Sequence, residues 1–278
     1  MHSFCNEYHQ FGKCLFISTD KACAVFSLEF GPRILAFSLC GYANIFYEQP
    51  LDADFLCTSD GWRVHAGTRL WLAPESLRTY FPDNSPVDYR IVGEKVVLTQ
   101  SEDPWMGIRK TISAEFSDSD TLEIDYRIEN RRELPINGSP WAVSSVRLGG
   151  VLNIPWAGSS GQSNPDRFLS IWNGTSLSDE RLRFEHDCVS ITPSERDEYF
   201  KIGLLCPSGE VSYSLPDQTF IKKFSSIGPF ADNNVNLEVF CCRQMIEIET
   251  LGKQQTLQYG QSAIHHEQWL IRKSEKKE

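Results

Sequence analysis

The chain alternates most plainly at Leu122-Glu123-Ile124-Asp125-Tyr126-Arg127-Ile128-Glu129, where every second side chain is apolar and the ones between are charged. A strand repeats its facing every two residues, so this stretch predicts an extended segment with apolar side chains inward and charges toward water. Segments 24–28, 33–39, 89–98, 108–116, 201–205, 220–224, 235–241 and 263–271 also read as strands. Turn clusters separate them, among them Gly31-Pro32, Asp118-Ser119-Asp120, Pro207-Ser208-Gly209 and Tyr259-Gly260-Gln261. Ile91-Val92 and Val96-Val97 flank Gly93-Glu94 in the manner of a hairpin. No long stretch keeps a helical period, and the best helical candidates are short, at 74–80 and 176–183. Many strands, short turns and few crossover helices predict an all-β fold, a large sandwich of two antiparallel sheets. Residues 1–272 read as one domain and 273–278 as a charged, solvated tail. The Gly-rich stretch 149–164 is expected to be a long loop at one rim.

A length of 278 residues suits this expectation, because β-sandwiches can exceed about 200 residues without splitting. Hydrophobic residues make up 41% and charged residues 23%, the balance of a chain with a substantial core. The formal net charge of −10 argues against nucleic acid as a partner, since phosphate backbones are bound by basic surfaces. Nothing approaches the roughly 18 apolar residues of a membrane span, no basic amphipathic run suggests a membrane surface, and the first residues do not read as a secretory leader. Nine cysteines without CxxC or zinc-like spacing are expected to be reduced, mostly buried, and in keeping with a cytoplasmic location.

Three segments carry polar groups in unusual company. Gly61 to Glu75 holds Arg63, His65, Arg69 and Glu75 beside Trp62 and Trp71. A cleft wall can use both kinds, aromatic faces against C–H groups and cationic donors toward hydroxyls; the alternative is a packed strand entrance with its Arg paired to surface carboxylates. In Asn233 to Phe240, Val235, Leu237 and Val239 should face one way, with Asn236 and Glu238 the other. A carboxylate on that second face is either an ordinary solvent-facing Glu or a desolvated general base. In the last strand, His265, Glu267 and Trp269 share a face. The adjacent His265 and His266 point oppositely and cannot both ligate a metal from a regular strand, so a hydrogen-bonded pair is the better reading and no metal is expected. No P-loop, dinucleotide fingerprint or nucleophile elbow occurs, and no cofactor is expected.

In their order along the chain these segments resemble the galactose mutarotase-like (aldose 1-epimerase-like) superfamily, in particular a branch of compact bacterial sandwich proteins. The likeness rests on Phe30-Gly31-Pro32-Arg33-Ile34-Leu35 followed by Gly41 to Phe46, on His65 to Glu75, and on Ser139-Pro140-Trp141-Ala142-Val143. It continues with Trp172, Thr175, Asp179 and Arg181, with Lys201-Ile202-Gly203, and with Leu237-Glu238 followed by Leu257 to Gln261. The resemblance implies a general base, Glu238, that takes the anomeric proton, and an acid that protonates the ring oxygen so that the ring opens and recloses as the other anomer. Where the family carries its central His, this chain has Ser139-Pro140-Trp141, which leaves His65, or more weakly Lys201, as the acid. Arg69, Trp71, Glu75, Trp141, Arg181 and Lys201 are then the expected saccharide contacts.

Two functions follow as expectations, and a third stands against them. The first is an isomerase that interconverts the anomers of a sugar; the second is a carbohydrate-binding module that keeps the cleft but has lost the acid. The third, a purely structural sandwich, would fill the cleft with its own side chains. Convergence of Arg63, Arg69, Arg78, Arg147 and Arg181 on the cleft would favour an acidic sugar, because guanidinium groups pair in bidentate fashion with carboxylate and phosphate.

Overall fold

The computed structural model describes residues 1–156 and 167–274. Two antiparallel sheets lie face to face. Among the described residues the first has eleven strands, and its centre runs Arg33–Leu39, Thr68–Ala73, Ile136–Arg147, Met245–Leu251, Leu237–Cys241, Phe200–Leu204. The second has ten, centred on Glu210–Ser214, Gln218–Phe224, Ser262–Lys273, Thr121–Asn130 and Ile108–Asp118. The expected all-β sandwich is therefore the fold.

Alternation explains the layering. Leu122, Ile124, Tyr126 and Ile128 turn inward and are fully buried, and from the facing sheet Leu70, Leu72, Ala142, Val146, Ile246 and Ile248 meet the same core. Each large aliphatic side chain buried this way stabilises the fold by about 1.5–3 kcal/mol. The hairpin at Gly93-Glu94 forms, with Val92 opposite Lys95 and Gly93 at φ +65°.

The first sheet has a second apolar face. Trp62, Trp71, Trp141, Val143, Met245 and Leu251 pack on the side away from the sandwich core. As a result the central strand Met245–Leu251 is buried along its whole length, on both faces. Loops fold over this outer face, and the 61–67 segment is pinned there by Arg33. Its guanidinium is fully buried, grips Asp83 in a fork of two 2.9 Å bonds, and donates to the Val64 carbonyl at 2.6 Å. Gly67 closes the turn at φ +64°, where a Cβ would lie 1.9 Å from the Ile34 carbonyl oxygen, so no other residue fits.

Some expectations need correction. Residues 74–80 hold only a 3-10 turn, Leu77–Tyr80, and residues 176–183 form no helix. There Ser176 and Asp179 bond their own local backbone, at Ser178 and Arg181, which competes with helix formation. The stretch 149–164 contains a strand, Val151–Pro155, whose Leu152 and Ile154 enter the core. Its remainder from 157, like the tail from 275, lies outside the described residues. All nine cysteines are free, but only Cys14, Cys206, Cys241 and Cys242 are buried. No helix among the described residues is long and apolar enough to cross a membrane.

Candidate functional site

The outer apolar face of the first sheet is the floor of a cleft of about 660 Å³. Strand parity sets its chemistry: Ile246, Ile248 and Thr250 face the sandwich core, so Glu247 and Glu249 face outward, opposite Ser145 and Val143 in register. Neighbouring strands add Arg69, Trp71, Trp141 and Lys201, and the loops supply Trp62, Glu75, Tyr80, Trp172 and Tyr199.

Two ion-pair groups order the floor. The Arg69 guanidinium bonds Glu247 at 2.8 and 3.3 Å and lies 4.2 Å from the centre of the Trp71 ring. Burial would raise the pKa of the Glu247 carboxyl, but Arg69 and the Ser145 hydroxyl, which donates at 2.8 Å, outweigh it and hold it below the usual range. Beside this pair, the Lys201 ammonium stands 2.9 Å from Glu249, 2.9 Å from Glu238 and 4.0 Å from Glu75. It sits between two indole faces, 4.4 Å from the Trp141 ring centre and 5.1 Å from that of Trp172. Burial pulls Lys201 toward neutrality, yet Glu249 and Glu238 more than reverse this. Glu238 and Glu249 lie directly opposite each other in register, and burial together with their mutual repulsion lifts the Glu238 carboxyl well above the ordinary range. Burial also raises Glu249. Two carboxyls, both of raised pKa, thus share one ammonium.

The residues expected from the sequence divide in two. Arg69, Trp71, Glu75, Trp141 and Lys201 come together in the cleft. Glu238 stands behind its floor: the side chain is 1% exposed, touches Lys201, and does not line the opening. His65 and Arg181 do not reach it. His65 lines a separate recess of about 360 Å³, stacked 4.2 Å from Phe30, with its ring nitrogen 2.9 Å from the Asn84 side-chain oxygen. Arg181 is buried over the Phe200 ring and bonds Asp179 at 2.9 and 2.7 Å and the Glu198 carbonyl at 2.7 Å; it braces the segment that carries Tyr199. The expected convergence of arginines fails as well: of Arg63, Arg69, Arg78, Arg147 and Arg181, only Arg69 lines the cleft. Among the described residues no three His, Cys, Asp or Glu are grouped to hold a metal ion. Sequence reasoning missed Glu247, Glu249, Tyr80, Trp172 and Tyr199. The alternation Ile246-Glu247-Ile248-Glu249 was a usable signal for the first two.

The recess around His65 gives a pH prediction. Burial, with help from Arg33, lowers the His65 pKa from 6.5 to about 4. A histidine whose folded pKa is depressed is neutral in the fold and takes a proton on unfolding, so stability falls as pH drops from 6.5 toward 4. In His65→Gln that part of the decline should vanish. Denaturant midpoints at pH 7 and pH 5 check this, and an equal decline in both proteins would refute it.

No family model and no curated protein matches the sequence. Solved structures do. A TPR-domain containing protein from Parabacteroides distasonis superposes with a TM-score of 0.62 at 11% identity, over 93% of this chain and 47% of its own, so the chain spans about half of that protein. A galactose mutarotase-like protein from Lactobacillus casei gives 0.59 at 10% identity, over 93% of this chain and 100% of its own. Galactose 1-epimerase from Lactobacillus acidophilus gives 0.56 at 11% identity, over 99% of each chain. Identities this low speak for architecture alone, and on that ground the chain has the galactose mutarotase-like fold.

Proposed function

We propose that the cleft binds a free saccharide and interconverts its anomers by general acid–base ring opening. The observation that carries this reading is the Lys201 ammonium held 2.9 Å from two carboxyls of raised pKa and bracketed by the Trp141 and Trp172 faces. Indole faces suit the C–H faces of a sugar ring, and a carboxyl of raised pKa suits proton exchange with an anomeric hydroxyl. In this reading Glu249, which lines the cleft, exchanges that proton, and Glu238, the base implied by the resemblance, sets its pKa from behind. Lys201 takes the part of donor to the ring oxygen, since His65 is not at hand. Glu75, Trp71 and Trp141 contact the sugar, Arg69 holds Glu247 in place, and Arg181 acts only through the segment it braces. The cytoplasmic location expected from nine free thiols belongs to the same reading.

One observation favours the second reading, a binding module without turnover: among the described residues no imidazole lines the cleft, and the Lys201 proton is held tightly. Exchange NMR between the anomers of a panel of aldoses separates the two. The isomerase reading expects exchange above the buffer rate that is lost in Glu249→Gln. Saturable quenching of tryptophan fluorescence without added exchange leaves the binding module. Neither signal with any saccharide removes both.

A further inference from the structure

The cleft's charges do not balance, and the imbalance has a sign. Among the described residues three cations line it, Arg69, Lys201 and Arg243, against four carboxylates, Glu75, Asp197, Glu247 and Glu249. Glu238, behind the floor, makes a fifth. Arg69 is matched by Glu247 and Arg243 by Asp197 at the rim. That leaves Lys201 alone among Glu75, Glu238 and Glu249. Even with one proton on the buried pair, at least a full negative charge remains. It falls on Glu75, whose side chain is 37% exposed, lies farthest from the ammonium at 4.0 Å, and has one hydrogen-bond donor among the described residues, the Tyr80 hydroxyl.

One further feature fits the same ligand. The walls are faces that attract cations: Lys201 already occupies the space between Trp141 and Trp172, and Trp71 carries Arg69. A sugar acid or sugar phosphate would meet the surplus carboxylate with no unpaired cation to receive it, and like charges in a partly desolvated cleft repel strongly.

We infer that the cleft prefers an amino sugar, a saccharide with a protonated amine that pairs with Glu75, over the corresponding neutral sugar, and that it rejects sugar acids and sugar phosphates. This rests on the carbohydrate reading above and adds the substrate class to it. The test is tryptophan-fluorescence titration of the full chain at low salt and slightly acidic pH, where the amine is charged. The probes are glucosamine and galactosamine, each beside its neutral parent, its N-acetyl form and its uronic acid. One hexosamine should bind at least about tenfold more tightly than its neutral parent, in the range of a charge-assisted hydrogen bond. N-acetylation should abolish the advantage, and the uronic acid should bind more weakly than the neutral sugar. In Glu75→Gln the ratio between the two sugars, whatever their separate affinities, should fall toward one. Neutral sugars bound as tightly as both hexosamines, or a uronic acid bound more tightly, overturn this inference and leave the carbohydrate reading standing. An unchanged ratio in Glu75→Gln also overturns it. Failure of every saccharide to bind overturns the carbohydrate reading itself and this inference with it.

Discussion

Lys222→Met should lower stability by about 3–5 kcal/mol, the usual cost of leaving one charge of a buried pair without its partner. Lys222 comes from the second sheet and crosses the core, with no exposed surface. Its ammonium stands 2.9 Å from Glu267 and donates to the Ser144 hydroxyl at 3.0 Å and the Ile248 carbonyl at 3.1 Å, both on the opposite sheet. Glu267 also accepts from the Trp269 indole at 2.7 Å and from Thr250, whose hydroxyl lies 2.7 Å from the His265 ring nitrogen. The face shared by His265, Glu267 and Trp269 is thus a polar knot that ties the two layers together. Burial alone would raise the Glu267 carboxyl; Lys222 above all, with His265 and Thr250, brings it down to about 2. Because the folded pKa is depressed, this stabilisation is complete above about pH 4.3 and is lost as pH falls toward the folded value. At neutral pH the variant should therefore melt roughly 10 °C lower, and its deficit should shrink on acidification. The double variant Lys222→Met/Glu267→Leu should recover much of the loss, since no unpaired charge is left. A single variant within about 1 kcal/mol of wild type in urea denaturation would show that the pair does not bear on stability.

Lys201→Met should have the largest effect on the cleft. Without the ammonium, Glu75, Glu238 and Glu249 repel one another in a partly dry site, and the carboxyl that exchanges the anomeric proton loses the partner that tunes it. Anomer exchange should fall by about 10²–10⁴-fold, the typical contribution of a positioned acid or base. The pH dependence of stability supplies a separate readout. Carboxyls whose folded pKa is raised favour the protonated state, so their contribution is present at low pH and lost as pH rises. Lys201→Met should thus come closest to wild-type stability near pH 5 and fall behind it by pH 8, while Lys201→Arg, which keeps the charge, should not show this trend. Parallel pH profiles for the Met variant and wild type would contradict the assigned charge balance.

The fold was legible because the long strands Ile108–Asp118, Thr121–Asn130 and Ser262–Lys273 of the second sheet each have one dry and one wetter face, which period two reports directly. The site was harder for the same physical reason. At 246–249 the alternation is as clean as at 122–129, yet both faces are covered, one by the core and one by the cleft. Periodicity says that two faces differ; it does not say which is wet. Lys222-Lys223 shows the complement: adjacent residues in a strand point oppositely, so one of two lysines had to enter the core, and only the facing Glu267 explains how it is tolerated. Trp172 and Tyr199 lie outside regular strands, on loops that carry no repeat to read. His65 and Arg181 drew attention by residue type, but backbone geometry turned them elsewhere. His65 sits at φ +58°, and Arg181 is folded back on Asp179 two residues away.

Met245–Leu251 presses Ile246 and Ile248 into the sandwich while it presents Glu247 and Glu249 to the cleft. A substitution in that strand therefore changes scaffold and chemistry at once, whereas the aromatic rim at Phe55 and Tyr199 touches neither the core nor the Lys201 group. New ligand preferences are accessible to this architecture chiefly by exchange of its rim, over a floor that has little freedom to drift.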